Sequence, residues 1–243
     1  MDFSAPNMKN AIIASTSTLH GETYLEYLLP ELRTLYSACK QIIFIPYARP
    51  GGIAHDTYTG IVKAAFDKIG IEVSGLHEYD DAVAAIQSAE GIFTGGGNTF
   101  LLVAQLYKFN VMDALATAIA NGVPYLGTSA GSNITGLTMQ TTNDMPIVYP
   151  PSFRTLGIVP FNLNPHYLDP DPTGTHMGET RETRIKEFHA FNSIPVMGLR
   201  EGSWLEVKAE NITLKGEHSA RLFLQNQVPT ELKSGSDLRF VGR

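Results

Sequence analysis

Residues 127–131 read Gly-Thr-Ser-Ala-Gly, a G-x-S-x-G pattern centred on Ser129. They follow directly on Val123, Pro124, Tyr125 and Leu126, four residues suited to a buried strand. A serine at a sharp strand-to-helix turn sits in strained backbone and needs small neighbours. Its hydroxyl then stands clear of the strand's carboxyl end, and the amide of the next residue, Ala130, is left to face a developing oxyanion. That is the chemistry of an activated serine nucleophile. A glycine-serine turn can also be plain punctuation between a strand and a helix, so the rest of the chain must supply partners.

A second loop, Gly95-Gly96-Gly97-Asn98-Thr99, follows an apolar run and opens a helical pattern. Its successive amides suit an anion-binding nest. It lacks the lysine of a P-loop and the spacing of a dinucleotide fingerprint, so it reads better as the other half of an oxyanion hole, against the plain alternative of a flexible turn. A nucleophilic serine also needs a base. The chain has seven histidines: His20, His55, His77, His166, His176, His189 and His218. His189 falls on a predicted helix and His77 at a strand end, positions that suit structural or surface groups. His166 follows Asn164-Pro165, whose ring fixes one φ and biases the preceding residue to extended backbone. Its predicted place in a loop is where catalytic residues concentrate. His218 is the rival, because it lies late in the chain as the histidine of an α/β-hydrolase does. For the acid that orients a catalytic histidine, Asp144 and Glu201 are the candidates, and spacing leaves the choice open.

The elements that must position these groups alternate. Strands are predicted over residues 11–14, 41–45, 71–76, 91–94 and 123–126. Helices are predicted over residues 22–36 (with Pro30 a kink or break), 55–69, 80–89, 99–107 and 111–120. This βα pattern implies an α/β fold, a mostly parallel sheet with helices on both faces. Such sheets place their sites at the carboxyl ends of the strands, where the Gly95 loop and Ser129 both fall. The second half is less regular. Residues 145–151 read as a loop or edge, 156–159 as a short strand, 162–178 as a long loop carrying His166, and 179–191 as a charged helix. A strand over 195–199, a hairpin over 204–216 and a last strand over 220–224 complete the chain. No repeat, low-complexity run or linker divides it, so a single domain over residues 1–243 is expected.

Bulk properties narrow the function classes. The chain has 243 residues, 43% hydrophobic and 17% charged, enough to bury a large core. A net charge of -6 argues against a nucleic-acid surface. It also means that any preference for an acidic substrate must be local. The single cysteine, Cys39, allows no internal disulfide and reads as a small structural residue. No run approaches the ~18 apolar residues of a membrane span. Residues 1–10 lack the apolar stretch of a signal peptide. A cytoplasmic protein is expected, and the sequons at Asn133 and Asn211 read as chance. There is no HExxH and no pair of cysteines, so no metal and no cofactor is expected.

Six motifs occur in order: Gly95-Gly-Gly-Asn-Thr-Phe100, Ser129-Ala-Gly131, Thr141-Thr-Asn-Asp-Met-Pro-Ile-Val148, Asn164-Pro-His166, Gly178-Glu-Thr-Arg181 and Gly198-Leu-Arg-Glu-Gly-Ser-Trp204. As a set they resemble the peptidase E, or alpha-aspartyl dipeptidase, family across nearly the whole chain. The resemblance implies a flavodoxin-like fold related to class I glutamine amidotransferases, with serine in place of their cysteine. It implies hydrolysis of dipeptides with N-terminal aspartate, with Ser129 as nucleophile and His166 as base. The third member would be Glu201 or Asp144. Glu201 is favoured because it ends a predicted core strand, and Asp144 would instead hold its loop. Gly97 and Ala130 would form the oxyanion hole, and Arg181 and Asn98 would bind substrate. The partners implied are small Asp-X peptides, not nucleic acid or membrane, for a monomer or homodimer. The Asp169-Pro-Asp-Pro172 stretch and the longer N-terminus depart from the bacterial members without touching the motifs. Two other readings compete: an α/β-hydrolase esterase using His218, and a non-catalytic amidotransferase-like binding module.

Overall fold

The computed structural model describes residues 8–51, 53–170 and 178–242. The first half comprises β1 (Asn10–Ala14), α1 (Leu29–Leu35), β2 (Gln41–Ile45), α2 (His55–Phe66), β3 (Glu72–Gly75), α3 (Ala82–Gln87), β4 (Ile92–Thr94), α4 (Thr99–Lys108), α5 (Val111–Ala120), β5 (Tyr125–Thr128) and the short α6 (Ala130–Asn133). The second comprises β6 (Asn162–Pro165), α7 (Arg181–His189), β7 (Val196–Leu199), β8 (Ser203–Lys208), β9 (Asn211–Gly216), β10 (Ala220–Phe223) and β11 (Thr230–Leu232).

Seven strands form the main sheet, in the order β3-β2-β4-β5-β1-β8-β9. The first five are parallel, and the β8–β9 hairpin extends the sheet, with β8 antiparallel to β1. Side chains alternate across the strands, so each face needs its own cover. In β1, Ala11 and Ile13 pack with Leu102, Leu106, Leu115 and Ile119 of α4 and α5. Ile12 and Ala14 pack on the other face with Leu32 of α1 and Val62 and Phe66 of α2. The architecture is therefore a flavodoxin-like α/β sheet covered on both faces. No helix among the described residues is long and apolar enough to cross a membrane.

Three expectations are corrected. The helix expected over residues 22–36 is confined to Leu29–Leu35, and of the kink or break allowed at Pro30 the structure has the break. A 3-10 turn (Glu26–Leu28) precedes α1, and Pro30 stands in the first turn of α1, where its missing N–H leaves no bond unmade. Residues 156–159 are not a strand. The amides of Leu156, Gly157, Ile158 and Val159 bond instead to carbonyls of Ile134, Gly136 and Thr135, so this buried segment is satisfied by the loop after α6.

The loop expected over residues 162–178 begins as strand β6, which joins a second sheet ordered β11-β10-β7-β6. Asparagine and proline disfavour strands, but here the buried amides have fixed partners. Asn162 accepts from the Thr138 N–H (2.8 Å) and donates to the Thr138 hydroxyl (2.7 Å). Asn164 donates to Thr141 O (2.8 Å) and Asn143 Oδ1 (2.7 Å). His166 thus stands at a strand end rather than within a loop. His176, and the latter part of the 169–172 stretch, lie outside the described residues.

Candidate active site

Ser129 has φ 54° and ψ -111°, a conformation that costs an L-residue roughly 1–3 kcal/mol. The two glycines of the motif explain how the turn fits. A Cβ on Gly127 would lie 2.4 Å from Gly131 O, and one on Gly131 would lie 2.1 Å from Thr94 O. The turn is laced down by Ser132, whose hydroxyl reaches Ala14 O (2.5 Å) and Gly127 O (2.7 Å). The Asn133 N–H closes back on Ser129 O at 2.9 Å.

His166 reaches the serine from the other sheet. Its Nε2 lies 2.9 Å from Ser129 Oγ, and its Nδ1 lies 2.6 Å from Glu201 Oε1. An ionised carboxylate can only accept, so in the neutral imidazole the proton lies on Nδ1 and Nε2 is the nitrogen that can accept from the hydroxyl. His166 also has a positive φ, 53°. Its backbone N–H donates to Ser15 Oγ (2.9 Å), which donates to Leu199 O (2.7 Å). Asn143 Nδ2 holds the preceding carbonyl, Pro165 O, at 2.7 Å.

Glu201 does not end a core strand, as the sequence suggested. Strand β7 stops at Leu199, and Glu201 lies in a turn closed by Ser203 N–H to Arg200 O (3.0 Å). Its neighbour Arg200 anchors that turn. The Arg200 guanidinium makes paired bonds to Asp169 (both 2.8 Å) and to Glu231 (both 3.0 Å), and a further bond to Ser219 O (2.7 Å). The bonds from Asp169 and Glu231 push its pKa well above the ordinary guanidinium value. Burial works to raise the Glu231 pKa, but Arg200 and Ser219 hold it below its ordinary value.

Asp144 is occupied elsewhere. Its Oδ2 accepts from the Thr99 N–H (2.7 Å), the Thr99 hydroxyl (2.6 Å) and the Thr142 hydroxyl (3.0 Å). It sits at the N-terminus of α4, where a carboxylate is favoured. Asn98 caps the same helix: its Oδ1 accepts from the Leu101 N–H (3.0 Å) and its Nδ2 donates to Met145 O (2.9 Å). Gly97 has φ 144° and no room for a Cβ, which would lie 2.2 Å from Ala48 O. Neither the Gly97 nor the Ala130 N–H meets a backbone carbonyl among the described residues. Ser129, Ala130, Thr99, Asp144 and His166 line one small cleft. The rival histidine is placed apart from this contact: His218 lies against Gly202, and its carbonyl accepts from Ser203 Oγ (2.9 Å).

Arg181 opens α7, half-buried. Burial lowers its pKa, the nearby charge of Arg184 lowers it further, and Asp144 acts the other way. No carboxylate among the described residues forms an ion pair with it. Glu182, the nearest acid in sequence, is taken by Lys186 (2.7 Å) and Arg221 (2.9 Å). Arg184 is exposed and lies 3.8 Å from Glu179.

The sequence matches the model of Peptidase family S51 over residues 11–215. The chain belongs to peptidase family S51. It is 50% identical over 229 residues to a protein of Streptomyces coelicolor named Peptidase E, covering 94% of this chain and 93% of that one. It is 43% identical over 236 residues to the Drosophila melanogaster protein named Probable alpha-aspartyl dipeptidase, covering 96% and 97%. The crystal structure of a peptidase from an acI-B1 Actinobacterium superimposes with a TM-score of 0.68 at 15% identity, over 95% of this chain and 96% of that one, a likeness of fold.

For this family S51 chain, sequence reasoning passed over the groups that hold the histidine and the acid in place. Ser15 stands at the carboxyl end of a buried parallel strand, a position that itself marks sites in such sheets. Asn143 lies within a motif already noted, beside the more conspicuous Asp144. Arg200 lies beside Glu201, but its partners are 31 residues away in either direction, and no local pattern signals them.

Proposed function

We propose that this protein is a serine-type dipeptidase that hydrolyses Asp-X dipeptides through an acyl-enzyme on Ser129. The observation that carries the reading is His166, bridged between Ser129 Oγ at 2.9 Å and Glu201 Oε1 at 2.6 Å. In the first step His166 Nε2 takes the serine proton as Oγ attacks the peptide carbonyl. Glu201 keeps Nδ1 protonated and stabilises the imidazolium that forms. The N–H groups of Gly97 and Ala130 take the developing oxyanion. His166 then returns the proton to the leaving amine, and water repeats the sequence to release aspartate.

Asp144 serves as the acid that fixes Thr99 and the start of α4, and Asn98 fixes the same loop, so both shape the cleft from behind. Arg181 selects the aspartyl side chain. A half-buried guanidinium without a described counter-ion is best neutralised by a carboxylate, which it can grip with two parallel bonds. The reading extends to one domain, because both sheets contribute to one cleft, and to a cytoplasmic enzyme acting on small peptides as a monomer or homodimer. The test is a screen of Asp-X, Glu-X and Asn-X dipeptides at matched X. Turnover confined to Asp-X supports the proposal, and equal turnover of Asn-X removes the charge-based selection.

A further inference from the structure

An Asp-X dipeptide carries two carboxylates, one on the aspartyl side chain and one at its C-terminus. Arg181 accounts for the first. A second arginine stands next to the Gly95–Asn98 loop, one residue after Ala48, whose carbonyl that loop engages. Arg49 is exposed, and no carboxylate among the described residues pairs with it, yet it is held in place. Its guanidinium carbon lies 4.9 Å from the centre of the Tyr58 ring. A guanidinium held over a ring by cation–π attraction keeps N–H groups able to donate.

The support beneath Arg49 leads directly to the catalytic groups. Tyr58 is 2% exposed, and its hydroxyl donates to Gly96 O at 3.2 Å. Gly96 is pressed against the nucleophile: a Cβ there would lie 2.9 Å from Ser129 Cβ. The residue before Arg49 is fixed as well, because Ala48 O accepts the Asn98 N–H at 2.7 Å. Arg49 is therefore tied by its backbone to the Gly97 loop and by its side chain to the ring that braces Gly96.

We infer that Arg49 binds the C-terminal carboxylate of the substrate and so favours dipeptides over longer peptides. The inference rests on the dipeptidase reading above. The physical basis is a ruler. One more residue on the leaving side moves the terminal carboxylate by up to about 3.3–3.6 Å. A charge-assisted bond is made at about 2.7–2.9 Å and does not stretch that far. Arg49 acts on binding, so its contribution falls on KM more than on kcat.

The test compares Asp-Leu with Asp-Leu amide, whose terminal charge is removed, on the wild-type protein and on Arg49→Met, which keeps the stem. Because each ratio is taken within one preparation, partial misfolding cancels. Wild-type protein is expected to favour Asp-Leu over its amide by about tenfold in kcat/KM, the scale of one exposed charge-assisted contact. In Arg49→Met that ratio falls towards one, mainly through a raised KM for Asp-Leu. A variant that keeps the wild-type ratio, or a wild type that shows no preference, overturns the assignment of Arg49. Failure of the underlying reading looks different: wild-type protein would then turn over neither compound, and this inference would fall with it.

Discussion

Ser129 stands at the end of β5 in the parallel sheet, while His166 and Glu201 stand at the end of β6 and just beyond β7, in the smaller sheet. The serine turn is bonded by Ser132 and Asn133, but what lets it form is exclusion. The turn survives because Gly127 and Gly131 leave no atom where a Cβ would strike a carbonyl at 2.4 Å or 2.1 Å. The histidine and the acid are positioned by attachment. Ser15, Asn143, Asn164 and Arg200 each contribute one or more hydrogen bonds to the segments that carry them. A steric site has no intermediate state, whereas a hydrogen-bonded one loosens one bond at a time. Substitutions should therefore act as all-or-none on the first side and in graded steps on the second.

The largest expected effect removes the chemistry and leaves both sheets standing. Ser129→Ala should lower kcat by about 10⁴–10⁶ with an unchanged circular dichroism spectrum. Near-wild-type turnover in this variant would eliminate the serine mechanism. Gly131→Ala tests exclusion itself. Its new Cβ would meet Thr94 O at 2.1 Å, so the expected outcome is little soluble protein, or a stability loss in denaturant of about 3 kcal/mol. A well-folded Gly131→Ala enzyme would show that the turn tolerates side chains after all.

Arg181→Ala should come next. Leaving a substrate carboxylate unpaired costs roughly 2–5 kcal/mol, so kcat/KM for Asp-Leu should fall by at least about thirtyfold, with a smaller change in Arg184→Ala. Retention of the full preference for Asp-Leu over Asn-Leu would make Arg181 a structural residue. Asn143→Ala probes attachment. It frees Pro165 O and removes one acceptor from Asn164, for a stability loss of about 1–3 kcal/mol. The same variant should keep reduced but measurable activity. Activity as low as that of Ser129→Ala would mean that the second side is no more graded than the first.

The same division governs what could be read in advance. The parallel half was legible because its strands are buried on both faces and read as continuous apolar runs, and α5 occupies Val111–Ala120, the bounds its periodicity predicts. Strand β6 was hidden because Asn162, Asn164 and Pro165 are poor strand formers, and their partners at Thr138, Thr141 and Asn143 lie 21–24 residues away. Glu201 was singled out from sequence, but its support was misread. The sequence places it at a strand end, whereas the turn is held by Arg200 through Asp169 and Glu231. Arg181 was singled out through its motif, and Glu182, the nearest acid in sequence, pairs with Lys186 and Arg221 instead.

The acid that orients His166 is the point on which the proposed mechanism turns. Parallel measurements of kcat on Asp-Leu and of unfolding in denaturant, for Glu201→Ala and Asp144→Ala, test it directly. With Glu201 Oε1 2.6 Å from His166 Nδ1, Glu201→Ala should lose about 10⁴ in kcat with little change in stability. Asp144, which accepts three bonds at the start of α4, should behave as a helix cap. Its loss should cost about 1 kcal/mol of stability and far less turnover. An inactive Asp144→Ala beside an active Glu201→Ala would contradict the assignment.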